Sequence, residues 1–244
     1  MLRTSLAGHP NIICHGEMFN PNKKDTPYSS NIEAQSIVND WIYPQTISPL
    51  ESDVHAVGFV HHAYHPGVQR AWPENRANPA WNSIWSFLKE IEDLKVIYLY
   101  RENLLSRHLS QLMALETGHW QAYSTQKMAE NEGKPYMAKP TKQRPSVEIN
   151  PELLNDDFEE TLQYRQKMTG YFLDKPSIGI SYEQLCNNLP LISARVSTFL
   201  GVSVMNLQPT LEKLENRTLA EAISNYAELK QYFSNSIHAK YFTD

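Results

Sequence analysis

Short apolar runs alternate along the chain with longer segments that repeat apolar residues at helical spacing. Four of the runs predict strands, and they are HPNIIC (9–14), HAVGFV (55–60), KVIYLY (95–100) and PSIGIS (176–181). These runs are nearly continuous in apolar residues, which is typical of strands buried on both faces of a sheet. They therefore favour a mostly parallel sheet over an antiparallel sheet with one solvated face.

Two segments between the strands have the length and the spacing of amphipathic helices. They are NPAWNSIWSFLKEI and NDDFEETLQYRQKMTGYFL. The residues that share one helical face are Trp81, Ile84, Trp85 and Leu88 in the first segment, and Phe158, Leu162, Arg165 and Met168 in the second. Strands that alternate with helices predict an α/β fold in which helices cover both faces of a mostly parallel central sheet. We expect one domain over residues 1–244.

Two segments interrupt this alternation. Residues 18–54 are rich in proline, asparagine and serine, and residues 121–150 are polar and carry several lysines. Irregular segments of this length inside a compact domain are either functional loops or mobile excursions. Both alternatives stay open, and in the first case these segments would contact a bound substrate.

Composition excludes several classes of protein. The 244 residues are 41% hydrophobic with a formal net charge of -5, which argues against non-specific nucleic-acid binding. The sequence has no run of about 18 apolar residues and no signal-peptide pattern, so we expect a cytoplasmic protein without membrane insertion. Its two cysteines, Cys14 and Cys186, are expected to be buried free thiols. Nothing in the sequence predicts the oligomeric state.

The stretch VIYLYRENLLSRHLSQL (96–112) places an arginine where a buried strand ends and a helix begins. In parallel α/β sheets, ligands bind beyond the carboxyl ends of the strands, where Arg101 is expected. Asn103 is a suitable N-cap, and Arg107 and Ser110 share one side of the following helix. Arginine with a serine hydroxyl suits a phosphate. The alternative is a surface arginine that pairs with Glu102 or Glu116.

The order of several motifs resembles the bacterial carbohydrate sulfotransferases, which include the trehalose and nodulation-factor sulfotransferases. The arginine is followed by Asn-x-Leu, by a serine nine residues after it and by Thr-Gly-x-Trp (117–120). The stretches LAGHPNIICHGEMFNP, YEQLCNNLPLISARVSTFLGV and PTLEKL…AISNYAELKQYF are also similar to segments of that family. The resemblance covers nearly the whole chain and implies a three-layer, P-loop-like sulfotransferase fold.

The same resemblance implies a reaction and a set of residues. The sulfuryl donor would be 3′-phosphoadenosine 5′-phosphosulfate, and the acceptor a hydroxyl of a small molecule, carbohydrate or glycolipid. Arg101 and Ser110 fall on the positions that hold the 3′-phosphate, and Arg107 is a weaker candidate for the same anion. Glu17 falls on the proposed catalytic base, and His15 is the alternative, because histidine titrates near neutral pH.

No metal is expected in this reaction. Three histidines, His61, His62 and His65, lie close together in VHHAYHP, but the helical H-E-x-x-H pattern is absent and Pro66 would end a helix there. We expect these histidines to line the cleft after the second strand, or to bond backbone carbonyls, in preference to holding a metal ion.

One part of the family pattern has no counterpart in this sequence. Family members begin with a strand and an R-x-G-[ST]-[ST] loop that cradles the 5′-phosphosulfate, whereas this sequence opens MLRTSLAG directly before His9. Two interpretations stay open. Either the start is assigned too late and the native protein is longer, or the chain is a truncated homologue that binds the nucleotide or a partner without catalysis.

A kinase-like phosphotransferase is a further alternative from a different class. It requires a G-x-x-x-x-G-K-[ST] loop and an acidic magnesium ligand, and the sequence contains no such loop.

Overall fold

The structure is a computed structural model that describes residues 2–17, 53–60, 86, 88–118, 120, 122–123, 145–208 and 211–243. The helices are α1 (Leu2–Leu6), α2 (Leu104–Thr117), α3 (Pro151–Tyr171), α4 (Tyr182–Asn187), α5 (Leu189–Leu200), α6 (Leu219–Ala222), α7 (Tyr226–Tyr232) and a 3-10 helix (Ala239–Tyr241). The strands are β1 (Ile12–Glu17), β2 (Ala56–Val60), β3 (Val96–Tyr100), β4 (Ala122–Tyr123), β5 (Ser177–Ser181) and β6 (Leu211–Glu212).

Two compact units make up the fold. The first unit comprises Met1–Tyr98, Gln166–Ile180 and Gln184–Gln208, and the second comprises Leu99–Arg165, Ser181–Glu183 and Pro209–Asp244. The expectation of one domain over residues 1–244 stays a prediction. In the part of the chain that the structure describes, no helix has the length and apolar character that crossing a bilayer requires.

Strands of the first unit pair in the way that the apolar runs predict. β1 and β2 are parallel, with Ile12 opposite Ala56 and Cys14 opposite Gly58. β3 pairs with β5, and β4 pairs with β6 in the second unit, so the described strands form three two-stranded sheets. Parallel pairing and the alternation of strands with helices confirm the α/β character. The three-layer, P-loop-like arrangement stays a prediction.

Three of the four strands predicted from apolar runs agree with the structure to within one residue, and the first does not. The HPNIIC prediction is wrong at both ends, because β1 begins at Ile12 and continues through Glu17. His9 is buried before the strand, where its Nε2–H donates to the Ser203 carbonyl at 2.7 Å and its Nδ1 accepts from the Asn11 amide at 3.1 Å. This hydrogen-bonded turn replaces the predicted strand start.

The core of the first unit is formed by side chains of α1, β1, β5, α4 and α5 and of the residues that follow α5. Leucine, isoleucine and valine side chains fill it. Its buried members are Leu2, Leu6, Ile12, Ile180, Leu185, Leu189, Ile192, Val196, Val202 and Leu207. Cys14 packs against this cluster, and burial raises the pKa of its thiol, partly offset by the charge of Arg3. Both cysteines are free thiols, but Cys186 is exposed, so the expectation of its burial is wrong.

The core of the second unit is built around α2, α3 and the C-terminal helices, and its centre is aromatic. The Phe158 ring lies 5.6 Å from that of Phe233 and 5.0 Å from that of Tyr241. Leu105 and Leu109 contribute a buried stripe of α2, and Leu112 packs against this core. Burial of this apolar surface fixes α2 against α3, which positions the residues at the start of α2.

Both ends of α2 have the expected local chemistry. The Asn103 side chain accepts from the Ser106 amide at 2.9 Å, so the predicted N-cap is confirmed. At the other end, Gly118 adopts the left-handed conformation (φ 69°) and its amide bonds the Ala114 carbonyl. The Thr117 hydroxyl bonds the Met113 carbonyl in the same turn. The Thr-Gly pair therefore has a structural role in ending the helix.

Several predictions fall outside the described residues. They concern Trp81, Ile84, Trp85, His61, His62, His65 and most of the segments 18–54 and 121–150. The second predicted helix is confirmed and is longer than predicted, because it starts at Pro151, where the Asn150 side chain accepts from the Leu153 amide at 2.9 Å.

Candidate anion site at the end of strand β3

Arg101 follows the last residue of β3, and its guanidinium is held by two contacts. The guanidinium carbon lies 4.0 Å from the centroid of the Tyr182 ring, which is a cation–π contact. One terminal nitrogen donates to the Ser106 carbonyl at 3.3 Å. In the part of the chain that the structure describes, no carboxylate pairs with Arg101, so the alternative pairing with Glu102 or Glu116 is not seen there.

The position of Ser110 follows from the geometry of α2. In an α-helix the carbonyl of residue i accepts from the amide of residue i+4, so the Ser106 carbonyl belongs to the turn that carries Ser110. Arg101 donates to that same carbonyl. Ser106 and Ser110 also share one side of the helix, because they are four residues apart. The carbonyl that Arg101 contacts thus lies one helical turn before Ser110, and the role of Ser110 in anion binding stays a prediction.

Arg107 is engaged by neighbouring side chains. Its guanidinium forms an ion pair with Asp157, which projects from α3, and donates to Gln111 at 3.0 Å. Asp157 also bonds the Nδ1 of His108 at 3.0 Å. Burial alone would raise the pKa of Asp157, but the hydrogen bonds from His108 and Arg107 and the charge of Arg107 outweigh burial and hold it below its usual value. The role of Arg107 in anion binding stays a prediction.

The backbone between β3 and α2 is held from both sides. Arg165, on α3, donates a hydrogen bond to the Arg101 carbonyl, and its guanidinium lies 5.1 Å from the centroid of the Tyr100 ring. The carboxylate of Glu183 accepts from the Glu102 amide at 2.9 Å and from the Asn103 amide at 3.4 Å. Burial lowers the pKa of Arg165, and the charge of Arg107 adds to that effect. Three consecutive residues are thus bonded to charged side chains.

Sequence reasoning did not identify Arg165, Tyr182 or Glu183 as parts of this site. The sequence pattern places Arg165 on the same helical face as Phe158, Leu162 and Met168, and the YEQL segment enters only through its resemblance to the family. Tyr182 and Glu183 directly follow β5, and a strand end is where ligand-binding residues are expected in an α/β sheet. That rule, applied to β5 as it was to β3, would have pointed to both residues.

The two candidate bases lie on β1, in the first unit. Glu17 is the last residue of the strand and stands opposite Val60, after a register shift that follows Cys14. The predicted strand ends at residue 14, whereas Glu17 still belongs to β1, because the pairing with β2 continues after the shift in register. His15 has a buried Nε2 without a hydrogen-bond partner among the described residues. The catalytic roles of both residues stay predictions.

No metal centre is apparent in the described part of the chain. Among the described residues, no group of three or more histidine, cysteine, aspartate or glutamate side chains is arranged so that it could hold a metal ion. The histidines of VHHAYHP lie outside the described residues.

The chain is similar to two curated proteins, both named Nodulation protein H. It is 23% identical to the protein of Rhizobium tropici over 243 aligned residues, and this alignment covers 99% of this chain and 87% of the relative. It is also 23% identical to the protein of Rhizobium meliloti over an alignment of 244 residues, and this alignment covers 96% of this chain and 86% of the relative. No family model matches the chain, and no solved structure matches it.

Proposed function

We propose that the protein is a sulfotransferase that moves a sulfuryl group from 3′-phosphoadenosine 5′-phosphosulfate to a hydroxyl of a carbohydrate or glycolipid. Its similarity to two proteins named Nodulation protein H extends over nearly the whole chain. The order of its motifs resembles a family that includes nodulation-factor sulfotransferases. Both observations support the same class of enzyme.

The observation that carries the proposal is the arrangement of Arg101. This guanidinium stands at a strand end, is oriented by an aromatic ring, and pairs with no carboxylate in the described residues. A cation in that setting has donors left for a ligand, and a phosphate matches its planar geometry. Ser110, one turn along α2, would add a neutral hydrogen bond. In this proposal both residues hold the 3′-phosphate of the donor.

The reaction requires one proton transfer and one displacement at sulfur. Glu17 would accept the proton of the attacking hydroxyl, whose oxygen would form the new bond to sulfur. The bond between sulfur and the bridging oxygen would break, and that oxygen would leave with the electron pair on the 5′-phosphate of the nucleotide. Positioned bases typically accelerate such steps by about 10²- to 10⁴-fold.

Titration calorimetry with 3′-phosphoadenosine 5′-phosphate, the desulfated donor, tests the nucleotide site. We expect the wild-type chain to bind it and Arg101→Ala to bind it about 10- to 100-fold more weakly, because a charged hydrogen bond contributes about 1.5 to 3 kcal/mol. Arg195→Ala is the matched control, since Arg195 is an exposed arginine on α5. Equal affinity of Arg101→Ala and Arg195→Ala would refute the site.

Transfer of labelled sulfate to a panel of carbohydrate hydroxyls tests the reaction itself. Labelled product that depends on Arg101 would support the sulfotransferase. Nucleotide binding without transfer to any acceptor would instead favour the alternative of a homologue that binds the nucleotide without catalysis.

A further inference from the structure

We infer that Glu183 is a positioning residue that sets the geometry of Arg101 for anion binding. The inference rests on the proposed function, because it assigns Glu183 to the same anion site. Glu183 would not touch the nucleotide. It would act through the backbone that connects β3 to α2.

The first observation is the hydrogen bonding of the Glu183 carboxylate. Its two oxygens accept from two consecutive backbone amides, those of Glu102 at 2.9 Å and Asn103 at 3.4 Å, which are 81 and 80 residues away along the chain. An ionised acceptor makes stronger hydrogen bonds than a neutral one. The peptide that follows Arg101 is therefore fixed by a side chain from a distant segment.

The second observation is the position of Tyr182, the residue before Glu183. Its ring lies 4.0 Å from the guanidinium carbon of Arg101, and the preceding Ser181 is fully buried. A short, anchored segment thus contacts Arg101 twice, at the side chain through Tyr182 and at the next peptide through Glu183. Both contacts restrict the direction in which the guanidinium leaves the strand.

The third observation is that a cation, Arg165, bonds the same backbone segment that Glu183 bonds. Arg165 donates to the carbonyl of Arg101, while Glu183 accepts from the two following amides. The polar groups of the peptides around Arg101 are therefore bonded to a cation and to an anion in the directions that their dipoles favour. Loss of the Glu183 carboxylate would leave the amides of Glu102 and Asn103 without their charged acceptor.

The negative charge of Glu183 makes the inference testable, because the two explanations predict opposite changes in nucleotide affinity when that charge is removed. A carboxylate near an anion site repels a bound phosphate, so simple electrostatics predicts that its neutralisation tightens nucleotide binding. A positioning role predicts the reverse, because Arg101 loses orientation. Glu102→Gln supplies the matched control, since Glu102 is exposed, adjacent to Arg101, and loses the same charge without losing an acceptor of backbone amides.

The experiment titrates the full chain and its Glu183→Gln and Glu102→Gln variants with 3′-phosphoadenosine 5′-phosphate. We expect Glu183→Gln to bind about tenfold more weakly, which corresponds to the loss of one charged hydrogen bond, and Glu102→Gln to bind as tightly as wild type or more tightly. In the Arg101→Ala background, the further change Glu183→Gln should cause little additional loss, because two residues that act as one unit are not additive.

Hydrogen exchange provides a readout that does not depend on the nucleotide. The amides of Glu102 and Asn103 should exchange faster in Glu183→Gln than in wild type, while the buried amides of α2 stay protected. Affinity in Glu183→Gln equal to that of wild type, or tighter, would overturn the positioning role. Failure of the wild-type chain to bind the nucleotide would overturn the proposed function instead, so the two failures are distinguishable.

Discussion

At the scale of single residues, one carboxylate organises the first two turns of α2. Asp157 bonds both Arg107 and His108, which are neighbours in sequence, and its side chain is 17% exposed. Replacement by an amide would leave a partly buried guanidinium without its counter-charge, which costs more than the pair contributes when it is intact. Asp157 therefore matters for folding whether or not Arg107 contacts an anion.

We predict that Asp157→Asn lowers the free energy of unfolding at neutral pH by about 2 kcal/mol, the magnitude typical of hydrogen bonds to a charged group. Asp156→Asn, its exposed neighbour in sequence, should change it little. Denaturant unfolding of the three chains measures both effects. An equal loss in the two variants would show that Asp157 has no specific role.

The same variant has a predicted pH dependence. The pKa of Asp157 lies below the ordinary value of 3.8 in the folded chain, so its stabilising contribution is fully present above that value. The contribution is lost as the pH falls through the lowered pKa of the folded state. The difference in unfolding free energy between wild type and Asp157→Asn should therefore shrink as the pH falls below about 4. A difference that grows in acid would contradict the assignment.

At the scale of secondary-structure elements, two glycines near helix ends differ in whether their backbone conformation requires glycine. Gly118 ends α2 with φ of 69°, a conformation that side chains with a Cβ rarely adopt, although no atom of the described residues beyond its chain neighbours lies within 4 Å of where that Cβ would be. Gly170, in the last turn of α3, also has free space around its Cβ position but no positive φ. Only Gly118 is needed for its backbone conformation.

We predict that Gly118→Ala destabilises the chain by about 1 kcal/mol through backbone strain. Gly170→Ala should stabilise it by up to about 1 kcal/mol, because alanine reduces the entropy of the unfolded chain and favours the helix. Thermal or denaturant unfolding of both variants measures this difference in sign. A stabilising effect of Gly118→Ala would show that α2 does not end in the left-handed conformation.

The elements that the sequence predicted are those whose determinants are local. β2, β3 and β5 follow from continuous apolar runs, and Asn103 follows from the preference of an N-cap for asparagine. The start of β1 was misplaced because His9 is fixed by the Ser203 carbonyl, 194 residues away. The position of Glu183 after β5 could be predicted from the sequence, but its hydrogen bonds could not, since its partners at the start of α2 are 80 and 81 residues away.

At the scale of the whole molecule, two of the segments that carry the family resemblance meet in the first unit. His9 and Asn11 of the HPN segment bond the carbonyl and the hydroxyl of Ser203, which follows the FLGV segment. The side chain of Asn11 also donates to the Asp53 carbonyl at 2.7 Å. These residues join opposite ends of the sequence, so their presence together is explained by folding and does not by itself argue for catalysis.

The distinction between structural and catalytic residues makes Glu17 the critical test of the enzyme. Glu17→Gln preserves the size of the side chain but removes the base, so we predict that kcat for sulfuryl transfer falls by about 10²- to 10⁴-fold. The affinity for 3′-phosphoadenosine 5′-phosphate should stay the same, in contrast to Arg101→Ala. Glu90→Gln, an exposed glutamate of the same unit, controls for the loss of charge.

Parallel measurement of His15→Gln separates the two candidate bases. If His15→Gln lowers kcat by that factor and Glu17→Gln retains wild-type turnover, the base is His15. If both variants transfer sulfate at the wild-type rate, neither residue accepts the proton, and the proposed assignment of the β1 end fails. Loss of transfer in Glu17→Gln with unchanged nucleotide affinity would support Glu17 as the base and exclude a purely structural role, because a residue needed for folding would also weaken nucleotide binding.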